Sequence, residues 1–278
     1  MKIIRLGAIA LTAIAATPAL AQSQDRDAHF DGPYIQAFGG YSVQSNDGDD
    51  TLVFDTDQDG VYDNDVLTTA PANAFSPGFC GGAANGATVG AGCRGDKDGA
   101  EYGARIGFDK RMGNMVIGGL IEGAKSNAKD RTAGFSTTPA SYTVQRELDY
   151  SIAARARAGF TPGGGALFYA TGGVAYAKID HDFDTTNTAN SFDVMRNKKG
   201  VWGWQAGGGA EVMITQNVSL GLEYLYNRFK DDKSYVLVGP GTAPATNPFL
   251  LDSGATRLRA SDKNFDYHSL RAVIGFSF

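Results

Sequence analysis

The stretch Leu148-Asp149-Tyr150-Ser151-Ile152-Ala153-Ala154-Arg155-Ala156-Arg157-Ala158-Gly159-Phe160 decides the fold. Its even positions are Leu, Tyr, Ile, Ala, Ala, Ala and Phe, and its odd positions are Asp, Ser, Ala, Arg, Arg and Gly. Successive side chains of a β-strand point to opposite faces. One face of this strand is therefore wholly apolar and needs lipid or a core. The other carries two arginines that need water, partners, or both.

Seven more segments alternate in the same way, while helical periodicity is nearly absent. They are Pro33 to Val43, Ala100 to Lys110, Asn114 to Gly123, Ala166 to Ala177, Val201 to Ile214, Val218 to Tyr226 and Phe265 to Phe278. Three connections are tight: Arg111-Met112-Gly113, Pro162-Gly163-Gly164-Gly165 and Thr215-Gln216-Asn217. The alternate connections, residues 44–99, 124–146, 178–200 and 227–264, are long. In an up-and-down meander this order puts every short turn at one end and every long loop at the other. That asymmetry is the pattern of outer-membrane barrels, and four long loops would be unusual in a soluble sandwich.

Composition agrees. The chain has 278 residues with 37 glycines, 16 Phe and 12 Tyr, too much apolar and aromatic material for disorder. A net charge of -5 argues against nucleic acid, which calls for a basic stripe. Lys2 and Arg5, the apolar run from Leu6 to Ala16, and Ala19-Leu20-Ala21 read as a secretory signal peptide over residues 1–21. Residues 22–32 then form a short N-terminal segment, and 33–278 form a barrel with a long first loop, 44–99. Removing the leader leaves 23 cations against 30 carboxylates. No later stretch approaches the ~20 consecutive apolar residues of a membrane helix. The expected fold is all-β, an eight-stranded antiparallel up-and-down transmembrane β-barrel.

Several motifs carry a family resemblance. They are Gly39-Gly40-Tyr41, Ile121-Glu122-Gly123, Tyr169 to Tyr176, Gly207-Gly208-Gly209-Ala210-Glu211, Leu222-Glu223-Tyr224 and the terminal Val273-Ile274-Gly275-Phe276-Ser277-Phe278. Together, in order over the exported chain, they resemble the eight-stranded outer-membrane β-barrel family of porin-like and opacity-like surface proteins of Gram-negative bacteria. The resemblance implies the cell outer membrane, loops extracellular and turns periplasmic. It also implies recognition of Phe278 by the barrel-assembly machinery. The long, acidic first loop departs from the family's usual form.

With apolar faces toward lipid, parity assigns Glu101, Arg105, Asp109, Glu122, Asp149, Arg155, Arg157, Glu211, Glu223 and Arg271 to the lumen. Eight strands enclose a space just wide enough for side chains to fill. The expected lumen is thus plugged by ion pairs. Trp202, Trp204, Tyr150, Tyr224, Tyr226, Phe276 and Phe278 are expected in the aromatic girdles.

The first loop holds Asp55-Thr56-Asp57-Gln58-Asp59-Gly60-Val61-Tyr62-Asp63-Asn64-Asp65. Carboxylates at relative positions 1, 3, 5 and 9, glycine at 6 and a carbonyl at 7 match a Ca²⁺ loop. Asp55, Asp57, Asp59, Asp63 and the Val61 carbonyl are the expected ligands, with Asp47, Asp49 and Asp50 nearby. Position 12 is Val66, so the usual closing carboxylate is missing and binding is expected to be weak. Cys80 and Cys93, both exported, are expected to form a disulfide.

The leading functional expectation is a structural, surface-exposed barrel that contacts outer-membrane lipid, lipopolysaccharide and a host or envelope surface ligand. Arg196, Lys198, Lys199, Arg257, Arg259 and Lys263 are the cations expected to meet lipopolysaccharide phosphates. A narrow diffusion channel is the alternative. A membrane-embedded lipid hydrolase is less supported, because His29, His181 and the His268-Ser269 pair mark no catalytic set in the sequence.

Overall fold

The computed structural model describes residues 29–44, 49–163 and 165–278. The expected leader and most of the 22–32 segment lie outside the described residues, as does Asp47. The chain builds eight long antiparallel strands: β1 Gly32–Gln44, β2 Gly99–Met112, β3 Met115–Ser126, β4 Ala140–Phe160, β5 Ala166–Thr185, β6 Lys199–Met213, β7 Val218–Lys230 and β8 Asn264–Ser277. Each pairs with its neighbours in sequence, and β8 closes on β1 with Tyr34 opposite Ser277 and Gln44 opposite Tyr267. The closed sheet has no free edge. No helix among the described residues is long and apolar enough to cross a membrane.

Alternation sorts the wall as the sequence implied. The outer face bears large apolar side chains that no protein covers: Ile106 is 59 % exposed, Leu222 61 % and Leu270 60 %. In water such a band would be very costly; in lipid it is the favoured surface. Trp202, Trp204, Tyr224, Phe276 and Phe278 also face outward and are exposed, while Tyr150 and Tyr226 are partly covered.

Three differences from the sequence reading stand out. First, β4 begins at Ala140 and β5 runs on to Thr185, so this hairpin rises well beyond the other strands. Second, the register between them slips at Lys178/Ile179, where Tyr150 pairs with Lys178 but Leu148 pairs with Ile179. Asp149 is the extra residue of this β-bulge, and a bulge reverses which parity faces inward. Below it Ser151, Ala153, Arg155 and Arg157 are buried; above it Leu148 and Arg146 are. Asp149 therefore leaves the lumen and pairs outside with Lys125 at 3.5 Å and Lys178 at 3.8 Å. Leu148, placed with the lipid face by simple alternation, points in.

Third, the long connections are folded. Ser191–Met195, Tyr235–Gly239, Thr256–Ala260 and Leu52–Asp55 form a separate four-stranded antiparallel sheet. Its core is Leu52, Phe54, Val66, Phe75, Tyr142, Val236, Val238, Phe249 and Leu258. Gly78–Gly81 and Lys129–Ser136 extend the β4 sheet. Cys80 and Cys93 are bonded, and Cys93 lies on a two-residue strand paired with Ala83–Ala84.

The bulge makes a specific prediction. Deleting Asp149 removes the extra residue yet keeps Leu148 and Ser151 facing inward, and the lost surface ion pairs are worth little. Deleting Ala153 shifts the strand by one residue and turns one side of β4 inside out. The expected result is a folded, heat-modifiable barrel on electrophoresis for the first deletion and none for the second.

Candidate functional site

The middle of the lumen is a continuous charged layer. Arg105, Arg155, Arg157 and Arg271 meet Glu101, Asp109, Glu122, Glu211 and Glu223, and none of the nine is more than 3 % exposed. Inward parity on β2, β3, β4, β6, β7 and β8 places them. Glu223 is the hub, held by Arg105 at 2.7 Å, Arg155 at 3.3 Å and Arg271 at 3.5 Å. The Tyr169 hydroxyl donates to it at 2.9 Å. Glu122 joins Arg155 at 2.6 Å and Arg271 at 2.7 Å. Arg157 grips Asp109 and Glu211, the latter at 2.9 Å, and Arg271 also pairs with Glu101. All four arginines thus meet the carboxylates that the sequence suggested.

With Asp149 outside, four cations face five anions, closer to balance than the six anions first assigned. Neutral groups fill in. Gln36 accepts from Arg105 Nε at 2.6 Å and donates to Glu211 at 2.9 Å. Ser42 donates to Glu101 at 3.1 Å. The Tyr34 and Phe38 rings lie against Arg157 and Arg271, 4.5 and 4.4 Å from ring centre to guanidinium carbon. These β1 residues carry no charge, but the strand's alternation marks Tyr34, Gln36, Phe38 and Ser42 as inward-facing.

Apolar layers close both sides of the charged one. Toward the turns stand Phe30, Val116, Leu167 and Tyr169. Toward the loops stand Leu148, Ala177, Ile179, Phe229, Phe265 and Tyr267. Above these lies a second polar cluster that the sequence did not reveal. Arg146 pairs with Asp130, and lies 3.6 Å from Asp262 and 3.9 Å from Asp231. His181 Nε2 is 2.8 Å from Asp231, and Ser234 Oγ is 3.4 Å from His181 Nδ1. Burial pushes the Asp130 carboxyl up despite the opposing Arg146. Burial and the nearby Asp130 charge push Asp96 up to about 7.

Serine, histidine and aspartate stand in a row here, as in hydrolases. Yet Ser234 also donates to the Arg196 carbonyl at 3.2 Å, and Asp231 shares Arg146. The visible task of the cluster is to tie β5 to the segments before β6 and after β7. His268 faces outward, 2.7 Å from the Tyr224 hydroxyl, while Ser269 is buried against Asn227.

In the acidic loop, Asp55, Asp57 and Asp59 each offer an oxygen, all within 4.8 Å of one another. Gly60 has φ +93°, the left-handed turn that the motif requires of a glycine. Asp55 Oδ2 accepts the Gly60 amide and pairs with Arg257, both at 3.1 Å, while its buried Oδ1 has no hydrogen-bond partner. The Asp59 carboxylate accepts the Val61 amide at 2.7 Å. Asp63 stays outside the group and accepts from Asn64 at 3.3 Å; an antiparallel bridge from Asn64 to Phe54 fixes that end of the loop.

A family model described as an outer membrane protein beta-barrel domain matches residues 7–278. The chain belongs to that family. Two curated relatives are each called a 31 kDa outer-membrane immunogenic protein, one from Brucella melitensis biotype 1 and one from Brucella suis biovar 1. Each is 30 % identical over 124 residues, covering 45 % of this chain and 51 % of the relative. The chain thus spans about half the length of those relatives. Among solved structures, the outer membrane protein OprG from Pseudomonas aeruginosa aligns with 90 % of this chain and 97 % of its own, at 13 % identity and TM-score 0.49. Neisserial surface protein A aligns with 88 % of this chain and 97 % of its own, at 11 % identity and TM-score 0.35. As a member of this family, the protein is an outer-membrane β-barrel.

Removing one partner from a buried ion network leaves an uncompensated charge. Glu223→Gln is expected to destabilise the barrel by about 3–5 kcal/mol, against about 0–1 kcal/mol for Lys125→Gln at an exposed pair. Urea unfolding in lipid vesicles measures both.

Proposed function

We propose that this protein works as a surface-exposed structural barrel. It anchors a folded cap outside the cell and does not conduct. The observation that carries this reading is the stack of layers: charged lumen, apolar layer, polar cluster, apolar cap core. A diffusion channel needs a continuous wet path. Here the middle is filled by arginines and carboxylates in contact, with apolar side chains on either side. In this reading the loop end is extracellular, the turns are periplasmic, and the cap presents a stable shape to host or envelope ligands. Relatives described as immunogenic accord with exposed loops. The reading also includes contact with outer-membrane lipid and lipopolysaccharide. Phe278, exposed at the turn end and packed edge-on to Phe276 at 5.2 Å, is the handle for the barrel-assembly machinery.

Planar bilayers test the plug. Purified protein is expected to leave them silent. Steady unitary openings that vanish in a control preparation would favour the channel.

A second observation supports a metal role for the cap. Three aspartates converge around a left-handed glycine, and Asp55 holds a buried oxygen that no donor satisfies. We infer weak Ca²⁺ binding by Asp55, Asp57 and Asp59, completed by Asp63 and the Val61 carbonyl as the loop closes. Arg257 already neutralises part of the charge on Asp55, and no carboxylate stands at position 12. Affinity is therefore expected on the order of 10⁻⁴–10⁻³ M, the range of extracellular modules. Titration calorimetry should show saturable heat that is lost in Asp57→Asn/Asp59→Asn. Equal heats from both proteins would leave the loop as solvated carboxylates.

A further inference from the structure

The outer wall changes character in steps along β7. Its outward residues run Leu220, Leu222, Tyr224, Tyr226, Arg228 and Lys230 toward the loop end: apolar, then aromatic, then cationic. On β6 beside it, Trp202 and Trp204 face the same way, 68 % and 45 % exposed, and they are the chain's only tryptophans. Trp204 pairs across the ladder with Arg228. Trp202 borders a groove of about 690 Å³, lined also by Arg196, Lys199, Lys230 and Lys233.

The charge of this groove runs against the net -5 of the whole chain. Arg196, Lys199 and Lys233 are exposed, with no carboxylate within 4 Å among the described residues. Lys230 reaches Asp232 at 3.1 Å. Asp231 also lines the groove, but its carboxylate is turned inward to His181. The backbone that carries Arg196 is fixed. The Ser234 hydroxyl fixes the Arg196 carbonyl, and Arg196 itself sits at φ +59°. Of the other cations that sequence suggested for phosphate, Arg257 is tied to Asp55 and Lys198 lies 3.5 Å from Asp180. Arg259 donates to the Asp232 carbonyl at 2.6 Å and stacks on Tyr62.

We propose that this groove binds the phosphorylated headgroup of an outer-leaflet lipid. Arg196, Lys199, Lys230 and Lys233 hold the phosphate, Trp202 lies at the headgroup boundary, and the acyl chains run down past Leu222 and Leu220. The position on the wall argues for a lipid over a soluble phosphate. The cations stand directly beyond the apolar band, so one amphiphile reaches both, whereas a free anion gains nothing from the tryptophan and leucine strip. The proposal rests on the extracellular placement of the loop end only for which leaflet supplies the lipid. Binding itself is independent of that placement and of whether the lumen conducts.

Trp202 borders the site and Trp204 stands two residues along the same outward face, so intrinsic fluorescence reports on it. The protein is refolded into phosphatidylcholine nanodiscs with rising fractions of bis-phosphorylated lipid A, and separately titrated with inorganic phosphate. Lipid A is expected to give a saturable emission change, and inorganic phosphate none. Each lysine near a lipid surface contributes about fivefold in affinity, so Lys199→Gln/Lys230→Gln should weaken binding about 25-fold. The charge-matched Lys110→Gln/Lys125→Gln, on other parts of the wall, should bind like the parent. Heat-modifiable mobility verifies folding of each variant, and Arg196→Gln/Lys233→Gln replaces the first pair if that pair fails to fold. Equal weakening by the groove and control pairs, an unweakened groove pair, or the same saturable change with inorganic phosphate would overturn the proposal.

Discussion

Eight strands leave a lumen only as wide as the side chains that fill it, and that limit governs the rest of the molecule. Side-chain alternation must send every second residue inward, and a lipid-facing wall leaves the polar set no other place to go. In so narrow a space the inward charges cannot stay hydrated as they would in a wide pore. They must neutralise one another. Four arginines and five carboxylates from six strands do so, with Glu223 and Glu122 shared among several partners. Because these partners come from different strands, the network also fixes which strands face one another across the barrel.

The same limit explains the bulge. Simple alternation through β4 would put Asp149 inside as a further anion and Leu148 outside. The extra residue sends Asp149 to two lysines on the outer wall and turns Leu148 into the apolar layer beneath the cap. Above that point the β4–β5 hairpin continues as a post. The loops gather on it around Tyr142, Phe75 and Phe249, whose rings pack at 5.2 to 5.8 Å. The cap is therefore a small folded body with its own core, positioned by strands rooted in the membrane.

Much of this was legible in the sequence, for a physical reason. Period-two alternation is a local property, so all eight wall strands, the turn asymmetry and nine of the ten lumen charges could be read directly. The tenth, Asp149, failed because a bulge is invisible to parity until the partner strand is known. The cap was missed for a related reason. Strands such as Leu52–Asp55 and Thr256–Ala260 are short and pair across about 200 residues, and nothing local announces such pairing. The His181–Asp231–Ser234 cluster and the Arg196–Lys233 groove are likewise assembled from segments far apart in the chain. The acidic motif announced four converging aspartates, of which Asp55, Asp57 and Asp59 come together and Asp63 stands apart, and it did not announce that Arg257 would reach Asp55.

The central claim is that the lumen charges act on one another rather than merely occupying space. A double-mutant cycle on Arg157 and Asp109 tests it most directly, with Arg157→Met, Asp109→Leu and the pair unfolded in the same vesicles. If the two side chains neutralise each other, each single change is severe and the double change costs at least 1 kcal/mol less than the two singles combined, within the ~0.5–3 kcal/mol seen for contacting residues. Strictly additive effects would contradict the account and reduce the network to packing.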